Sequence, residues 1–379
     1  MQEPPKRLAE AYETWLDAQR RALAVMTALE QPGTPQDWAE GYRWLTRIAS
    51  LCQDWILEKE DPLRPTIFRS QNESRKLIVD NPDVNYWFVS IDGEQRYRLF
   101  GRRGGAPYLG FTIGTDVFRG APGRTGTLAQ HDLSQFEVGP DGRFEILLAK
   151  ERPPGHRGNF MALPEGAKQI AVRETFRDRA QETPAAELGI ERLGEKLAPP
   201  RTDPEVVAEK LETMSRYLLV VANICAHLWR SNAANQNRIV GMAGARHVSA
   251  QKDEVTTHSD TDMVYMGGRF FLEAGEALRV TMHAPPDDFV YWGLVLVNPW
   301  MESLDYRYTR THASDGTAWR DANGNWPLLV AAEDPGPGPW TWLDAGGRQE
   351  GYLLLRWVLA GDAPPAPSCE VVRLASLTR

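Results

Sequence analysis

The chain has 379 residues, of which 42% are hydrophobic and 25% charged, a balance that permits large cores and excludes a disordered chain. Acidic residues outnumber basic ones 51 to 43, a net charge of −8, which disfavours a general nucleic-acid binder, since such proteins need a basic excess. Three scattered cysteines, Cys52, Cys225 and Cys369, form no disulfide framework or zinc knuckle; with no signal-peptide core at the start, they point to a reduced, cytoplasmic setting.

Residues 1–62 read as a helical segment. Over 4–30, Leu8, Tyr12, Trp15, Leu16, Leu23 and Met26 recur at helical spacing. A second helix starts at Thr34, a good N-cap, with Pro35 in the first helical position. Its apolar stripe runs through Trp38, Tyr42, Leu45, Ile48, Cys52 and Trp55, and it ends before Pro62. Residues 65–197 read as strands and turns, a first β-sandwich. Pro199 and Pro200 then mark a boundary, and Asp203 with Pro204 caps a connecting helix over 203–235. The apolar run Leu218 to Trp229 within it is too short to span a bilayer. Residues 250–379 read as a second sandwich. There Leu278, Val280 and Met282 alternate with polar residues, and Tyr291 to Val297 is apolar throughout.

The two strand-rich stretches repeat one another. Gly142 to Phe160 spans 18 positions, as does Gly324 to Trp342. FEILLA and IAVRETF in the first half answer WPLLVA and YLLLRWVL in the second, and upstream YLGFTI answers YWGLVL. A period this long implies two related domains. The fold class is therefore mainly β with a helical N-terminal segment: two tandem sandwiches joined by a helix.

The strings LGFTIGTD, GNFMALPEGAKQIAVRETFRDR and PAAELGIERL, with YWGLVLVN, MESLDYRY, WTWLDAGGRQEGYLLLRW and CEVVRL in the second copy, resemble the family called domain of unknown function 1214. The resemblance covers most of 80–193 and 255–374. It implies tandem two-layer jelly rolls of the viral-coat and nucleoplasmin kind, and no particular activity. Thr341 stands where the first copy has Asn159, so the family pattern is half kept there.

Residues shared by both copies, Arg173 and Arg356 above all, read as architectural: part-buried arginines bonded to carbonyls or a carboxylate. Residues unique to one copy are the place to look for chemistry. Where the first copy has GTDVFRG, the second has PWMESLDYRYTRTHAS. Read as a strand from Leu304, this puts Tyr306, Tyr308, Arg310 and His312 on one face, and Asp305 and Arg307 on the other. His312 would transfer protons, with Tyr308 or Asp305 as partner and Arg307 or Arg310 holding negative charge. Tyr306 and Trp292 would supply aromatic ligand contacts. The alternative is the wet face of an edge strand.

Two further strings carry candidates. His258, Asp260 and Asp262 alternate and would share a strand face able to hold a divalent metal, although the usual reading of such a string is a solvated loop entering a strand, and no metal is expected. Arg348 and Glu350, on the glycine-rich loop DAGGRQEG, can point into a pocket or form a surface ion pair. No serine-hydrolase elbow, zincin, phosphate loop or dinucleotide fingerprint is present, and no organic cofactor is expected.

Two functions fit. One is a cofactor-independent acid–base enzyme, a lyase, isomerase or hydrolase, acting on an apolar or aromatic small molecule. The other is a non-catalytic ligand-binding or assembly module, with Trp15, Trp38, Trp44 and Trp55 capping a sandwich or joining copies into a homo-oligomer. Concentration of His and Tyr in one copy favours the enzyme.

Overall fold

The computed structural model describes residues 3–28, 33–118, 126–241, 262–284, 288–359 and 364–377. Three helices precede and separate two sandwiches: α1 (Lys6–Thr27), α2 (Pro35–Cys52) and α3 (Pro204–Ser231). Local chemistry sets their starts. Thr34 accepts from the Asp37 amide while the Asp37 carboxylate accepts from the Thr34 amide, a reciprocal cap before Pro35. Asp203 caps α3 by accepting from the Glu205 amide, with Pro204 next. A π-helical turn, Gln53–Glu58, extends α2.

The first sandwich contains β1 (Phe68–Gln71), β2 (Val84–Ser90), β3 (Tyr97–Arg102), β4 (Tyr108–Gly114), β5 (Thr127–Asp132), β6 (Arg143–Ala149), β7 (Phe160–Ala162), β8 (Gln169–Thr175) and β9 (Glu187–Arg192). The second contains β10 (Val240–Gly241), β11 (Met263–Phe271), β12 (Glu276–Met282), β13 (Tyr291–Val297), β14 (His312–Ser314), β15 (Trp326–Ala331), β16 (Thr341–Asp344), β17 (Glu350–Val358) and β18 (Ser368–Arg373). The sheets run β1-β2-β8-β4-β5 and β7-β6-β3-β9 in the first, and β10-β11-β17-β13-β14 and β16-β15-β12-β18 in the second. Each second-sandwich strand thus takes the place of the strand nine earlier, including the one parallel pair, β6 with β7 and β15 with β16.

Each sandwich has its own core. Val89, Phe111, Ile146 and Val172 fill the first, and Leu278, Leu294, Trp326 and Trp357 the second. A third core lies between the five-stranded sheets and the helices. Phe88 and Ala171 from the first sheet and Val295, Tyr352 and Leu354 from the second meet Trp15, Trp44, Trp55, Tyr217 and Leu218 of the helical layer. The middle strands β8 and β17 are buried on both faces, which explains the apolar runs at 170–172 and 352–355 within them. Trp15, Trp44 and Trp55 therefore pack within the chain, whereas Trp38 is 41% exposed and stacks on Tyr42.

The strand expected from Leu304 does not form. Residues 306–308 make a turn, and apart from a single bridge of Ser303 to Val297 only His312–Ser314 joins the sheet, against β13. The first sandwich competes for this backbone. The Lys76 ammonium donates to the carbonyls of Ser303 (2.5 Å) and Leu304 (3.0 Å), and Asp80 accepts from the Ser303 amide (2.8 Å). The Leu304 amide still donates to the Leu296 carbonyl (3.0 Å), but with the other backbone groups taken the ladder does not continue.

Candidate functional site

The five-stranded sheets meet at one end through a polar layer with near two-fold symmetry. Arg173 on β8 lies between Tyr86 and Gly110 in the strand register, and Arg356 on β17 lies between Tyr265 and Gly293. Both arginines are buried. Thr112 accepts from Arg173 (2.9 Å), while Arg356 donates to the Val79 carbonyl. This is the architectural role expected of the pair. Tyr108 and Tyr291 each fold back over the glycine two positions on, in space that a Cβ would fill, so neither glycine can carry a side chain there.

The tyrosines cross the interface. The Tyr291 hydroxyl donates to Asp83 (2.8 Å), the residue before β2. The Tyr108 hydroxyl donates to Asp262 (3.0 Å), the residue before β11. Asn81 adds a donor to the Tyr291 oxygen (2.9 Å), and burial beside Asp83 pushes the Tyr291 hydroxyl well above its ordinary pKa. Asp262 is therefore an interface acceptor whose carboxyl is raised by burial. Its expected metal partners His258 and Asp260 lie outside the described residues. Among the described residues no cluster of His, Cys, Asp and Glu is arranged to hold a metal.

The symmetry breaks at one position. Gln130 pairs with Thr112 across β4 and β5; His312 pairs with Val295 across β13 and β14. In the first copy, Thr112 donates to the Gln130 oxygen (2.7 Å) and the Gln130 amide donates to Tyr108 (3.2 Å). In the second copy Val295 has no hydroxyl to offer. The His312 Nε2 stands 3.2 Å from Asp83 Oδ1, and its buried Nδ1 has no partner. The Tyr306 ring packs edge-on against the imidazole at 5.9 Å, and the Lys76 ammonium lies 5.0 Å over the other part of that phenol.

The left-handed backbone at Ile78 and Val79, φ of 37° and 55°, turns the chain so that Val79 meets Arg356 and Asp80 meets Ser303. β-Branched residues rarely adopt this conformation, and strain of this kind persists where surroundings enforce it. Arg179 completes the frame. It donates to the Pro82 carbonyl (2.9 Å), one residue from Asp83, and to Asn85 (2.9 Å), which Arg69 also engages (2.8 Å).

Of the residues expected at the site, the structure brings together only His312 and Tyr306. Asp305 forms a two-point pair with Arg307 (2.8 and 2.6 Å), which holds the carboxyl down at about 2. Arg307 stacks on Tyr308, itself 79% exposed. Arg310 is exposed as well. Trp292 is fully buried among Trp326 and Trp357, because β13 is covered on both faces, so it cannot touch a ligand beside His312. Arg348 is no pocket residue. Its buried guanidinium joins Asp37 and Glu40 and fastens α2 to the second sandwich. Glu350 pairs with Arg269. Asp83, Tyr291, Arg179 and Lys76 were not singled out from the sequence; the pairing of Asp83 with Asp262 as the residues opening matching strands is the signal that marks the first of them.

No family model matches the chain, and no curated protein matches it either. The chain is similar to the crystal structure of an uncharacterized protein from Burkholderia cenocepacia at 29% identity, covering 98% of this chain and 99% of that one, with a TM-score of 0.86. The tandem-sandwich architecture therefore extends over the whole length of both. The VPA0106 protein from Vibrio parahaemolyticus is 12% identical over 88% of this chain and 98% of its own, with a TM-score of 0.50, and shares the fold.

Proposed function

We propose that the chain is an acid–base enzyme acting on a small molecule where the two sandwiches meet, with His312 as the proton-transfer group. The observation that supports this reading most strongly is the exchange of Gln130 for His312 within an otherwise repeated frame. Both copies keep the tyrosine–aspartate contact that joins the sandwiches. One copy alone adds a titratable ring and omits the hydroxyl that would satisfy it.

The chemistry follows from the contacts. In the neutral ring the Nε2 proton faces Asp83, leaving the Nδ1 lone pair to accept a proton from substrate. Asp83, itself held by Tyr291, then stabilises the imidazolium 3.2 Å away. Returning the proton to another carbon of the substrate completes an isomerisation, and giving it to a departing group completes an elimination; in a hydrolytic step Nδ1 takes the proton of an attacking water and gives it to the leaving group. Nδ1 is shielded, so Tyr306 is the neighbour that must yield to a ligand; its ring would then lie against an apolar or aromatic substrate body. Among the described residues no helix is long and apolar enough to cross a membrane. The order of the sequence motifs supports grouping the chain with the domain of unknown function 1214 proteins.

The test is turnover of a panel of small aromatic and aliphatic lyase, isomerase and hydrolase substrates by the purified protein and by His312→Ala. A substrate turned over by the wild type and lost by about 10²–10⁴-fold in the variant supports the reading; turnover equal in both rejects it.

A further inference from the structure

Two arginines from the first sandwich lie near Tyr306 with an unusual partner. Arg179 and Arg69 converge on one oxygen, Asn85 Oδ1, at 2.9 and 2.8 Å. That oxygen belongs to a neutral amide. The only nearby carboxylate bonded to the same side chain, Glu174, is engaged by the Asn85 amide (2.8 Å) and the Ala186 backbone (2.7 Å). Among the described residues neither guanidinium has a carboxylate oxygen at ion-pair distance. Asp83 and Glu174 favour the charge on Arg179 from beyond ion-pair distance, yet two guanidiniums sharing one neutral oxygen are normally a costly arrangement.

The surroundings relate this pair to His312. Arg179 reaches the carbonyl of Pro82, next to Asp83, and stacks over Phe176 at 4.4 Å. Burial works against its charge, Asp83 supports that charge, and Arg69 opposes it. The Tyr306 hydroxyl, pushed up by burial, is drawn back by Arg179 and Arg69 together. Tyr306 is therefore the side chain shared by the imidazole and the arginines.

We propose that Arg69 and Arg179 form an oxyanion anchor, which takes a carboxylate or phosphate group of the substrate and sets its body against Tyr306 and His312. The planar guanidinium fork suits either group, and the anion supplies the charge that Asn85 lacks. The inference rests on the acid–base reading for its consequence in catalysis, while the anchor itself is tested by binding alone.

The probes are inorganic phosphate and, separately, benzoate, titrated calorimetrically into the full chain. Saturable binding of at least one is expected, and which one binds distinguishes a phosphorylated from a carboxylic substrate. Arg69→Met, an exposed residue whose loss leaves the fold in place, should weaken binding about 10-fold or more, and Arg179→Met likewise. Arg310→Met, at an exposed arginine, should bind as the wild type does. Absence of saturable binding by both probes overturns the anchor, as does equal binding by wild type, Arg69→Met and Arg179→Met. An equal loss in Arg310→Met overturns it in favour of general surface charge. If phosphate or benzoate binds as expected but no substrate is turned over, the anchor stands and the acid–base reading fails.

Discussion

Gln130 and His312 occupy the same position in the two sandwiches, each two residues along the ladder from the glycine that faces a buried arginine. Changing His312 to Gln therefore gives the second copy the residue that the first already accommodates. The variant should melt within a few degrees of the wild type and lose turnover by about 10²–10⁴-fold. Thermal denaturation beside an activity assay checks both halves. Unfolding of His312→Gln would mean that the imidazole is part of the frame.

The reciprocal tyrosines carry the opposite expectation. Tyr291→Phe leaves Asp83 and Asn81 buried without their shared partner, and Tyr108→Phe removes the donor to Asp262. An unsatisfied buried polar group costs about 1–3 kcal/mol. Urea unfolding should show losses of that size in both variants, larger for Tyr291, whose partners Asp83 and Asn81 are buried where Asp262 is only half-buried.

Tyr308 and Arg310 attract attention in the sequence, yet both project into solvent. Tyr308→Phe and Arg310→Ala should each change stability by less than about 0.5 kcal/mol and leave any turnover at the wild-type level. A large loss in kcat/KM for Tyr308→Phe would show that the turn folds inward on substrate.

Glu302 gives a pH dependence with a definite sign. Burial raises its carboxyl to about 7 from 4.5, although Arg47 at 2.7 Å and Lys76 draw it down. Between those values the folded chain keeps a proton that the unfolded chain releases, so stability falls as pH rises from about 4.5 to 7 and then levels. The loss is roughly 3 kcal/mol if the shift is fully expressed. Glu302→Gln still offers Arg47 an oxygen and does not titrate. Its Tm should decline less than that of the wild type between pH 5 and pH 8.

Arg348 sits between Asp37 and Glu40, and the Trp300 indole donates to the Asp37 carbonyl at 2.7 Å. Arg348→Met strands two carboxylates against the second sandwich, and breaking such a buried set costs about 3–5 kcal/mol. Differential scanning calorimetry should show the loss. Retention of wild-type stability would place these carboxylates in water.

The amino-acid order by itself determined the elements and their repetition. Helix starts are visible at Thr34 and Asp203 because a cap is satisfied within a few residues, and the sandwich strands are visible because alternation and apolar runs are local too. The matching spacings from Gly142 and Gly324 carried the tandem organisation for the same reason. His312 was legible as the residue that one copy has and the other lacks. Its surroundings were not. Asp83 and Arg179 come from the other sandwich, and the Asp83 contact joins positions whose sequence separation exceeds the length of either domain. Alternation likewise assigned Tyr306, Tyr308, Arg310 and His312 to one strand face, until Lys76 and Asp80 captured the backbone at Ser303 and Leu304. A backbone hydrogen bond has one donor and one acceptor to give, and which partner takes them is decided only when the chain has folded.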